Sequence, residues 1–433
     1  MTAKSADGRG ATQPKQVARS QDDLQAQYQH IRSETEALTA ELSDADATVQ
    51  SMPDASPAKW HLAHTSWFFE TVILQAFGRN YSPFNTHYNY LFNSYYEAVG
   101  DRQPRPLRGL LTRPSLCDIM AYRSHVDAHM EVILTGSITP ELAGLVELGL
   151  GHEQQHQELL LTDILHLFAQ NPLKPAFRDP GPLAYDASLP LAGGYKSFKG
   201  GLLEFGADKT GFSFDCETPR HQQLVHPFAL ALAPVSGGEW AAFIAGGGYD
   251  DPLLWLSDGW AKRLEEDWKA PLYWESRDGV WWSMTLRGMQ PVDLDAPVCH
   301  VSYFEADAYA TWAGKRLPSE FELELAAQDQ PVQGNFTASE RLRPAPLRAP
   351  EGVMAGLYGD VWEWTSSPFT PYRGFKPYEG VMGEYNGKFM SGQQVLKGGS
   401  CATPSGHMRP TYRNFWHPEK RWQFTGLRLA EDN

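Results

Sequence analysis

Two histidines of this chain, His152 and His156, stand four residues apart in a strongly helical stretch. Residues i and i+4 lie on the same face of an α-helix, so both imidazoles should project from one side and could share a metal ion. The stretch His152-Glu153-Gln154-Gln155-His156 also fits the zinc-protease pattern His-Glu-x-x-His, in which the glutamate is the general base. The third ligand that the rest of the chain offers therefore bears on the choice between a zinc protease and another kind of metal enzyme.

The apolar residues around this pair predict which way it faces. Leu145, Leu148 and Leu159 continue the same helical stripe as the two histidines, so both rings are expected on the buried face. An imidazole buried without a partner costs roughly 1 to 3 kcal/mol. A shared metal ion would supply a partner to both, whereas two core histidines satisfied by backbone or carboxylate groups are the simpler alternative.

A third ligand is expected from another helix, and His64 is the best candidate. It shares its helical face with Trp67 and Phe68, so its ring should point inward. His61 lies one turn earlier, near the predicted helix start, and is expected to make a local hydrogen bond. A rival pair, His125 and His129, is also four residues apart, but its more polar surroundings predict a solvated or supporting face.

Three neutral imidazoles leave coordination positions open, which suits zinc hydrolysis or the oxygen chemistry of non-haem iron. The spacing alone does not choose between them. Glu153 lies one residue from His152, about 100° round the helix. It could be the base of a hydrolase, face solvent, or orient a neighbouring ring.

The elements that must position these residues differ between the two parts of the chain. The first part predicts four helices that suit an antiparallel bundle with a long crossover, at 22–42, 57–77, 114–134 and 140–168. After about Asn171, Gly and Pro become frequent and the pattern indicates a loop-rich α+β domain. There we predict helices at 303–314 and 319–328, with Ser319 as N-cap, and extended runs at 273–284 and 394–397.

Composition limits the possible functions. The formal net charge of -15 argues against non-specific binding to nucleic acid or to an anionic membrane. No stretch has the pattern of a signal peptide or of a membrane span, so a cytoplasmic protein is expected. The four cysteines stand far apart, which argues against a disulfide framework and a cysteine-rich zinc site. Residues 1–20 are polar and predict a disordered tail.

Two groups of motifs resemble one known family. Three motifs of the first part resemble the DinB-type bundle of the ergothioneine-biosynthesis sulfoxide synthases: Trp60-His61-Leu62-Ala63-His64, Trp67-Phe68-Phe69-Glu70 and His152-Glu153-Gln154-Gln155-His156. Four motifs of the second part resemble the second domain of these enzymes, which is similar to formylglycine-generating enzymes and C-type lectins: Arg316-Leu317-Pro318-Ser319-Glu320, Gly359-Asp360-Val361-Trp362-Glu363-Trp364, Leu396-Lys397-Gly398-Gly399-Ser400 and Gly426-Leu427-Arg428. The resemblance implies a DinB-like four-helix bundle at 21–172, followed by a formylglycine-generating-enzyme-like domain at 173–433.

The resemblance also implies a function. Such enzymes bind Fe(II) through three histidines, which map onto His64, His152 and His156. They use O2 to join a sulfur donor to the imidazole C2 of hercynine (Nα-trimethylhistidine) and leave a sulfoxide, and relatives form the carbon–selenium bond from a selenosugar. The implied partners are therefore hercynine, a thiol or selenosugar donor and O2. Tyr95 and Tyr96 match the tyrosine pair of the cysteine-using branch, where a phenol donates a proton or hydrogen atom.

Further positions carry over from the resemblance. Gln155 matches a residue that touches the substrate imidazole. Asn414 and Trp416 lie in a loop that reaches hercynine, where the amide could bind the carboxylate and the indole could face the trimethylammonium group. A donor carboxylate favours a bidentate arginine, and five are candidates: Arg102, Arg105, Arg108, Arg113 and Arg373.

The chain departs from the pattern at two places. Formylglycine-generating enzymes need a pair of active-site cysteines near the C-terminus, whereas Cys401 stands alone here, so that chemistry is not expected. Trp416 stands where much of the cysteine-using branch has Phe, which leaves the donor open. Three alternatives remain: a zinc hydrolase that uses Glu153, a DinB-type thiol transferase, and a lectin-like binding module on a structural bundle.

Overall fold

The computed structural model describes residues 21–181, 187–208 and 210–432. The predicted disordered tail lies outside these ranges. The helices are α1 (Gln21–Thr39), α2 (Asp44–Thr48), α3 (Ala58–Phe68), α4 (Gln75–Phe77), α5 (Tyr88–Phe92), α6 (Leu116–Leu134), α7 (Pro140–Gln170), α8 (Gly237–Ala245), α9 (Ser257–Glu265), α10 (Tyr303–Trp312) and α11 (Glu320–Ala327). No helix within the described ranges is both long and apolar enough to cross a membrane.

The N-terminal part is a helical bundle in which α1, α3, α6 and α7 pack on one another. Local sequence explains where two of these helices begin. The Ser115 hydroxyl accepts the backbone N–H of Asp118 in a capping box at the start of α6. Thr139 caps α7, and Pro140 stands at its first position, where a missing N–H costs nothing. The predicted four-helix arrangement is confirmed.

The segment predicted as one helix over 57–77 is interrupted. Helix α3 passes into a π-helical turn at Phe69–Leu74 before it ends as α4. Such turns occur often at functional sites, because they turn side chains out of the α-helical register. Here the buried Glu70 accepts hydrogen bonds from the hydroxyls of Tyr81 at 2.5 Å and Tyr122 at 2.7 Å. These bonds tie α3 to α6 and to the loop that follows α4.

The C-terminal part carries four small sheets built from β1 (Tyr195–Phe198), β2 (Gly201–Phe205), β3 (His221–Val225), β4 (Phe228–Ala231), β5 (Trp274–Arg277), β6 (Val280–Thr285), β7 (Gly288–Pro291), β8 (Trp362–Pro368), β9 (Gln394–Lys397), β10 (Asn414–Trp416), β11 (Thr425–Gly426) and β12 (Ala430–Asp432). Their strand orders are β1-β4-β12, β10-β9-β8-β11, β2-β3 and β5-β6-β7. The pairs are antiparallel apart from β8 and β11, which run parallel. This arrangement confirms the predicted loop-rich α+β domain.

The predicted helices and strands of this part agree with the structure at some positions and differ at others. The capping box of Ser319 and Glu322 is present at the start of α11, and strand β9 covers the predicted run 394–397. The predicted run 273–284 forms a hairpin of two strands, β5 and β6. Helices α8 and α9 of this part, and α2 and α5 of the bundle, were not predicted, because none is longer than 9 residues and so few turns show a helical period.

Helix α7 joins the two parts. Its half-buried Glu158 carboxylate accepts hydrogen bonds from the indole N–H of Trp362 at 2.7 Å, the Ser400 hydroxyl at 2.6 Å and the Thr403 hydroxyl at 2.8 Å. Trp362 and Ser400 belong to the sequence motifs of the second domain. One face of α7 therefore binds the second domain, and another face is left for the bundle interior.

Candidate metal centre

Three histidines from two helices meet inside the bundle. His64 of α3 and His152 and His156 of α7 each offer a ring nitrogen, and these three atoms lie within 4.8 Å of one another. The ring centroids are 4.6 to 4.9 Å apart. All three side chains are buried. This is the geometry expected of three ligands around one metal ion, and the structure brings together the three histidines that the sequence predicts.

The hydrogen bonds of these rings leave nitrogens facing the centre. His64 Nδ1 lies 2.6 Å from the carbonyl oxygen of Phe92, which can only accept, so Nδ1 carries the proton and donates. His64 Nε2 and both nitrogens of His152 are buried and have no hydrogen-bond partner among the described residues. A buried polar atom without a partner is costly, and a metal ion would satisfy these nitrogens.

Electrostatics keep the three rings neutral. Burial is the largest cause that lowers the pKa of His64 and His156 well below the usual range, and the neighbouring histidines lower it further. Burial lowers the pKa of His152 to about 3, although Glu153 opposes the shift. Neutral imidazoles with a free lone pair are the form in which histidine binds metals.

An aromatic wall surrounds the cluster. Trp60 stacks on His64 with ring centroids 4.5 Å apart, and Phe68 lies 4.9 Å from His152. Tyr385 of the second domain approaches His152 edge-on at 5.7 Å. These side chains shield the cluster, so its second-domain boundary is made partly by a tyrosine that the sequence analysis did not name.

His61 does not make the local hydrogen bond that we expected. Its Nδ1 lies 2.8 Å from His156 Nδ1, and its Nε2 lies 3.1 Å from the Asp163 carboxylate. The expectation was wrong because helix α3 packs directly on α7, so a residue near the start of α3 faces a long-range partner. The i, i+3 spacing of His61 and His64 was the available signal, since it places both on one helical face.

The Glu153 carboxylate does not face solvent, and its hydrogen bonds go to residues other than the histidines. It is fully buried and accepts hydrogen bonds from Arg32 at 2.9 Å, Thr35 at 2.7 Å and Arg123 at 3.0 Å. Burial alone would raise the pKa of Glu153, but Arg32 and Arg123 outweigh it and lower the pKa. Of the three positions left open for Glu153, the solvent-facing one is therefore excluded, and a carboxylate held by two guanidinium groups is unsuited to act as a base.

Gln155 connects α7 to a network in the second domain. Its side-chain oxygen accepts the hydroxyl of Tyr385 at 2.6 Å, and its amide donates to the hydroxyl of Tyr412 at 2.7 Å. The Tyr412 hydroxyl also lies 3.1 Å from His407 Nε2, and His407 Nδ1 lies 3.1 Å from the Gln154 oxygen. Gln155 is therefore held beside the cluster by two tyrosines.

Tyr95 and Tyr96 stack on each other with ring centroids 4.6 Å apart. Tyr96 is fully buried and lies 5.5 Å from Trp67, which in turn stacks on His64. Its hydroxyl lies beside that of Tyr95 but makes no hydrogen bond of good geometry within the described chain. Burial raises the pKa of both phenols, so both keep their protons at neutral pH.

Asn414 and Trp416 lie on strand β10, which pairs with β9. The Asn414 side-chain oxygen accepts the backbone N–H of Phe415 at 2.9 Å. Trp416 packs edge-on against Trp422 at 5.0 Å, and the Trp422 indole N–H lies 3.4 Å from Asp163. One side chain, that of Trp422, thus connects Trp416 to the His61–Asp163 pair. The substrate roles of Asn414 and Trp416 stay predictions.

The rival histidine pair lies apart from the cluster. His129 is exposed, and its Nδ1 donates to the carbonyl of His125 at 2.8 Å in the same helix. Among the five candidate arginines, Arg108 alone is buried. Its guanidinium lies 3.4 Å from the centroid of the Trp60 ring and donates to Ser56 at 2.9 Å. The remaining four are exposed or half-buried.

Sequence reasoning missed two contributors, Tyr385 and His407. Both follow short irregular segments of the second domain, where no periodicity marks which side chains face the bundle. Tyr385 comes after a short helical turn at Gly380–Glu384, and His407 precedes Met408 and Arg409 in a loop. Only the docking of the two parts brings these residues to α7.

Comparisons with known proteins agree with the two-part architecture. Residues 27–160 match the DinB superfamily, and residues 193–349 and 350–433 match the sulfatase-modifying factor enzyme 1-like domain. These matched ranges correspond to the helical bundle and to the domain of small sheets.

Two relatives match the chain over nearly its whole length, and a third matches part of it. A hercynine oxygenase of Mycolicibacterium smegmatis is 34% identical over 430 residues, which cover 90% of this chain and 95% of the relative. A hercynine oxygenase of Mycobacterium tuberculosis is 32% identical and covers 95% of this chain and 99% of the relative. The formylglycine-generating enzyme of Mus musculus is 28% identical over 59% of this chain and 77% of the relative.

Proposed function

The chain belongs to the hercynine oxygenase family, and from this membership we propose that it is an Fe(II)- and O2-dependent synthase that joins a chalcogen donor to hercynine. The donor is a cysteine-type thiol or a selenosugar, and the bond forms at the imidazole C2. For a thiol, one thiol, one hercynine and one O2 give one sulfoxide and one water. The observation that carries the proposal is the inward cluster of His64, His152 and His156 in a chain of this family.

The donor set of this cluster fits Fe(II). Imidazole ligands suit iron as well as zinc, and a three-ligand site leaves coordination positions open. His64 Nε2 and the nitrogens of His152 are buried without partners within the described ranges, so a metal ion would satisfy them. When bound, Fe(II) would supply the redox chemistry by which O2 is reduced. The protein's own residues must bind the substrates, exclude water and hold protons.

Three tyrosines are candidates for holding a proton near the cluster. The Tyr385 proton is held by the Gln155 oxygen at 2.6 Å. The Tyr96 hydroxyl is buried without a well-formed hydrogen bond to any described residue, so its proton is the less restrained of the two. Tyr95, stacked on Tyr96, completes the group. We propose that a phenol of this group donates to the reacting oxygen, with Tyr96 and Tyr385 ahead of Tyr95.

The substrate contacts remain proposals. Asn414 keeps its amide N–H groups for a carboxylate, because its oxygen is already occupied by the Phe415 N–H. Trp416 could present a face to the trimethylammonium group. For a donor carboxylate, Arg108 is the best supported arginine. Burial and Arg105 lower its pKa because they disfavour its positive charge, and a carboxylate would offset both effects. Arg108 has no carboxylate partner in the part of the chain described here.

Of the three alternative functions, the zinc hydrolase and the binding module receive less support. A zinc hydrolase would need Glu153 as a free base, but its carboxylate accepts hydrogen bonds from Arg32, Thr35 and Arg123. A binding module without catalysis would not need three buried, inward nitrogens at one point. A DinB-type thiol transferase would use the same cluster without O2, so the test must vary oxygen.

The test is a coupling assay with each donor. The protein is loaded with Fe(II) without oxygen and mixed with hercynine and with cysteine, γ-glutamylcysteine or a selenosugar in separate reactions. Air is then admitted, and product masses are read by mass spectrometry. We expect an adduct of hercynine with one donor that requires O2 and carries an added oxygen atom when the donor is a thiol.

Two controls make this result specific. The double variant His152→Ala, His156→Ala should lose both metal and product, whereas His129→Ala, on the exposed face of α6, should keep both. Product formed equally without oxygen would favour thiol transfer. Absence of an oxygen-dependent adduct with every donor, in protein that has bound iron, would refute the proposal.

A further inference from the structure

The three histidines of the cluster are supported in different ways. His64 is oriented by a backbone carbonyl, that of Phe92, which fixes its proton on Nδ1 whatever the surrounding side chains do. His152 has no hydrogen bond to a described residue. His156 is oriented by another imidazole, that of His61, which is in turn bound to Asp163. The orientation of His156 therefore depends on two side chains outside the cluster.

The chain of contacts runs between two helices and is buried throughout. His61 on α3 is 2% exposed, and His156 and Asp163 on α7 are 8% and 6% exposed. The carboxylate also accepts the backbone N–H of Ser56 at 2.8 Å and faces the indole N–H of Trp422 at 3.4 Å. Both of these groups can only donate, so the carboxylate acts as an acceptor towards every neighbour.

The positions of the protons then determine the direction of each hydrogen bond. His61 Nε2 must carry a proton, because it faces an acceptor oxygen. For His156 to offer Nε2 to a metal, its own proton must lie on Nδ1, and that proton needs an acceptor 2.8 Å away. His61 Nδ1 provides this acceptor when it carries no proton. One arrangement thus satisfies all the atoms: His156 donates to His61, and His61 donates to Asp163.

We propose that His61 and Asp163 are positioning residues that hold the proton of His156 on Nδ1 and so keep its Nε2 directed at the metal. Partners of this kind on metal-bound histidines are usually a carboxylate or a carbonyl acting directly, and their loss typically lowers metal affinity by about 10- to 100-fold. Here a second imidazole is inserted between the ligand and the carboxylate. This inference rests on the proposed metal site and does not depend on the coupling reaction.

A matched pair of variants tests the role of His61. His61→Asn keeps an acceptor oxygen near the position of Nδ1, whereas His61→Leu has similar bulk and no acceptor. The affinity for Zn(II) and Co(II) is measured by competition with a chromophoric chelator, and the Co(II) absorption bands report the coordination geometry. We expect His61→Leu to bind both ions about 10- to 100-fold more weakly and His61→Asn to retain most of the affinity.

A control and a second measurement keep the test sharp. His166→Leu removes a histidine of α7 that bonds Ser51 and takes no part in the chain, so it should leave affinity unchanged. If His61→Leu fails to fold, nitrogen NMR of histidine-labelled wild-type protein with Zn(II) decides instead. There we expect His156 to be protonated at Nδ1 and metal-bound at Nε2.

Several outcomes would overturn the proposal. Equal affinity of His61→Leu and wild type would show that His156 needs no acceptor. Equal loss in both His61 variants would show that bulk or shape matters, and not the acceptor. A His156 that carries its proton on Nε2 in the zinc form would reverse the assignment. Wild-type protein that binds none of these ions would instead remove the proposed metal site itself.

Discussion

Replacement of Glu153 by glutamine separates a structural carboxylate from a catalytic base. In wild type, this carboxylate bonds Arg32 Nη1 at 2.9 Å and Arg123 Nη2 at 3.0 Å, and the side chains of Glu153 and Arg123 are fully buried. Glutamine keeps the shape and the hydrogen bond to Thr35 but removes the negative charge. Two buried guanidinium groups would then lack their shared counter-charge.

The magnitude follows from the partners that remain. Loss of one member of a buried ion pair costs about 3 to 5 kcal/mol. Arg32 would still bond Asp127 at 2.7 Å, so we expect the lower end, about 3 kcal/mol. For a domain of the size of the helical bundle, each kcal/mol lost from the free energy of unfolding lowers the Tm by roughly 2–4 °C. Glu153→Gln should therefore lower the Tm by roughly 6–12 °C.

The assay is thermal unfolding followed by calorimetry, with Glu131→Gln as the matched control. Glu131 is exposed on α6, so its substitution should change the free energy of unfolding by less than about 0.5 kcal/mol. The pH dependence gives a further check, because the pKa of Glu153 is lowered in the folded protein. A lowered carboxyl pKa adds stability above the unfolded value, and this stability is lost as pH falls through the folded value.

The difference between wild type and Glu153→Gln should thus be full at pH 7 and shrink below about pH 4. A variant with the Tm of Glu131→Gln but without activity would refute this reasoning. That pattern is the one expected of a general base, and it would return the hydrolase to consideration.

Other residues give shorter tests. Tyr385→Phe removes the hydroxyl that bonds Gln155 and should lower kcat for product formation at least about tenfold with an unchanged circular dichroism spectrum; an unchanged kcat would exclude Tyr385 as a proton donor. His152→Ala should abolish the stabilisation by metal, which in wild type amounts to about 2.7 kcal/mol in the free energy of unfolding at 100 times Kd and raises the Tm. Burial raises the pKa of Asp360 to about 6, so the contribution of this group to wild-type stability should fall as pH rises from about 4 to about 6. Asp360→Asn should remove up to about 3 kcal/mol of this dependence, as calorimetry across that range would show.

The helices and the histidine cluster were accessible to sequence reasoning because both are written in local spacing. The four-residue step between His152 and His156 fixes their common face, and the apolar neighbours of His64 give its direction. The partner of each ring was not accessible. His61 was expected to bond locally, yet it bonds residues 95 and 102 positions away.

Charged residues show the same limit. Glu153 looked like a solvent-facing group or a base, because nothing in its neighbours reveals Arg32 and Arg123 on two other helices. Tyr385 lies in an irregular region of the second domain, where no period of two or 3.6 residues indicates a buried face. Long-range pairing is set by how helices and domains dock, and a single sequence does not encode that docking in a readable period.

Helix α7 explains why the His-Glu-x-x-His match points away from a hydrolase. Successive residues turn about 100° round a helix, so Glu153 faces a different direction from the nearly aligned His152 and His156. That direction is occupied by α1 and α6, whose arginines bind the carboxylate. Gln155 and Glu158 turn back to the far side, where they bond the second domain. We therefore expect the second domain to close a substrate pocket beside the histidines. The proton donors proposed for that pocket are Tyr385 of the second domain and Tyr96 of the bundle, and not Glu153.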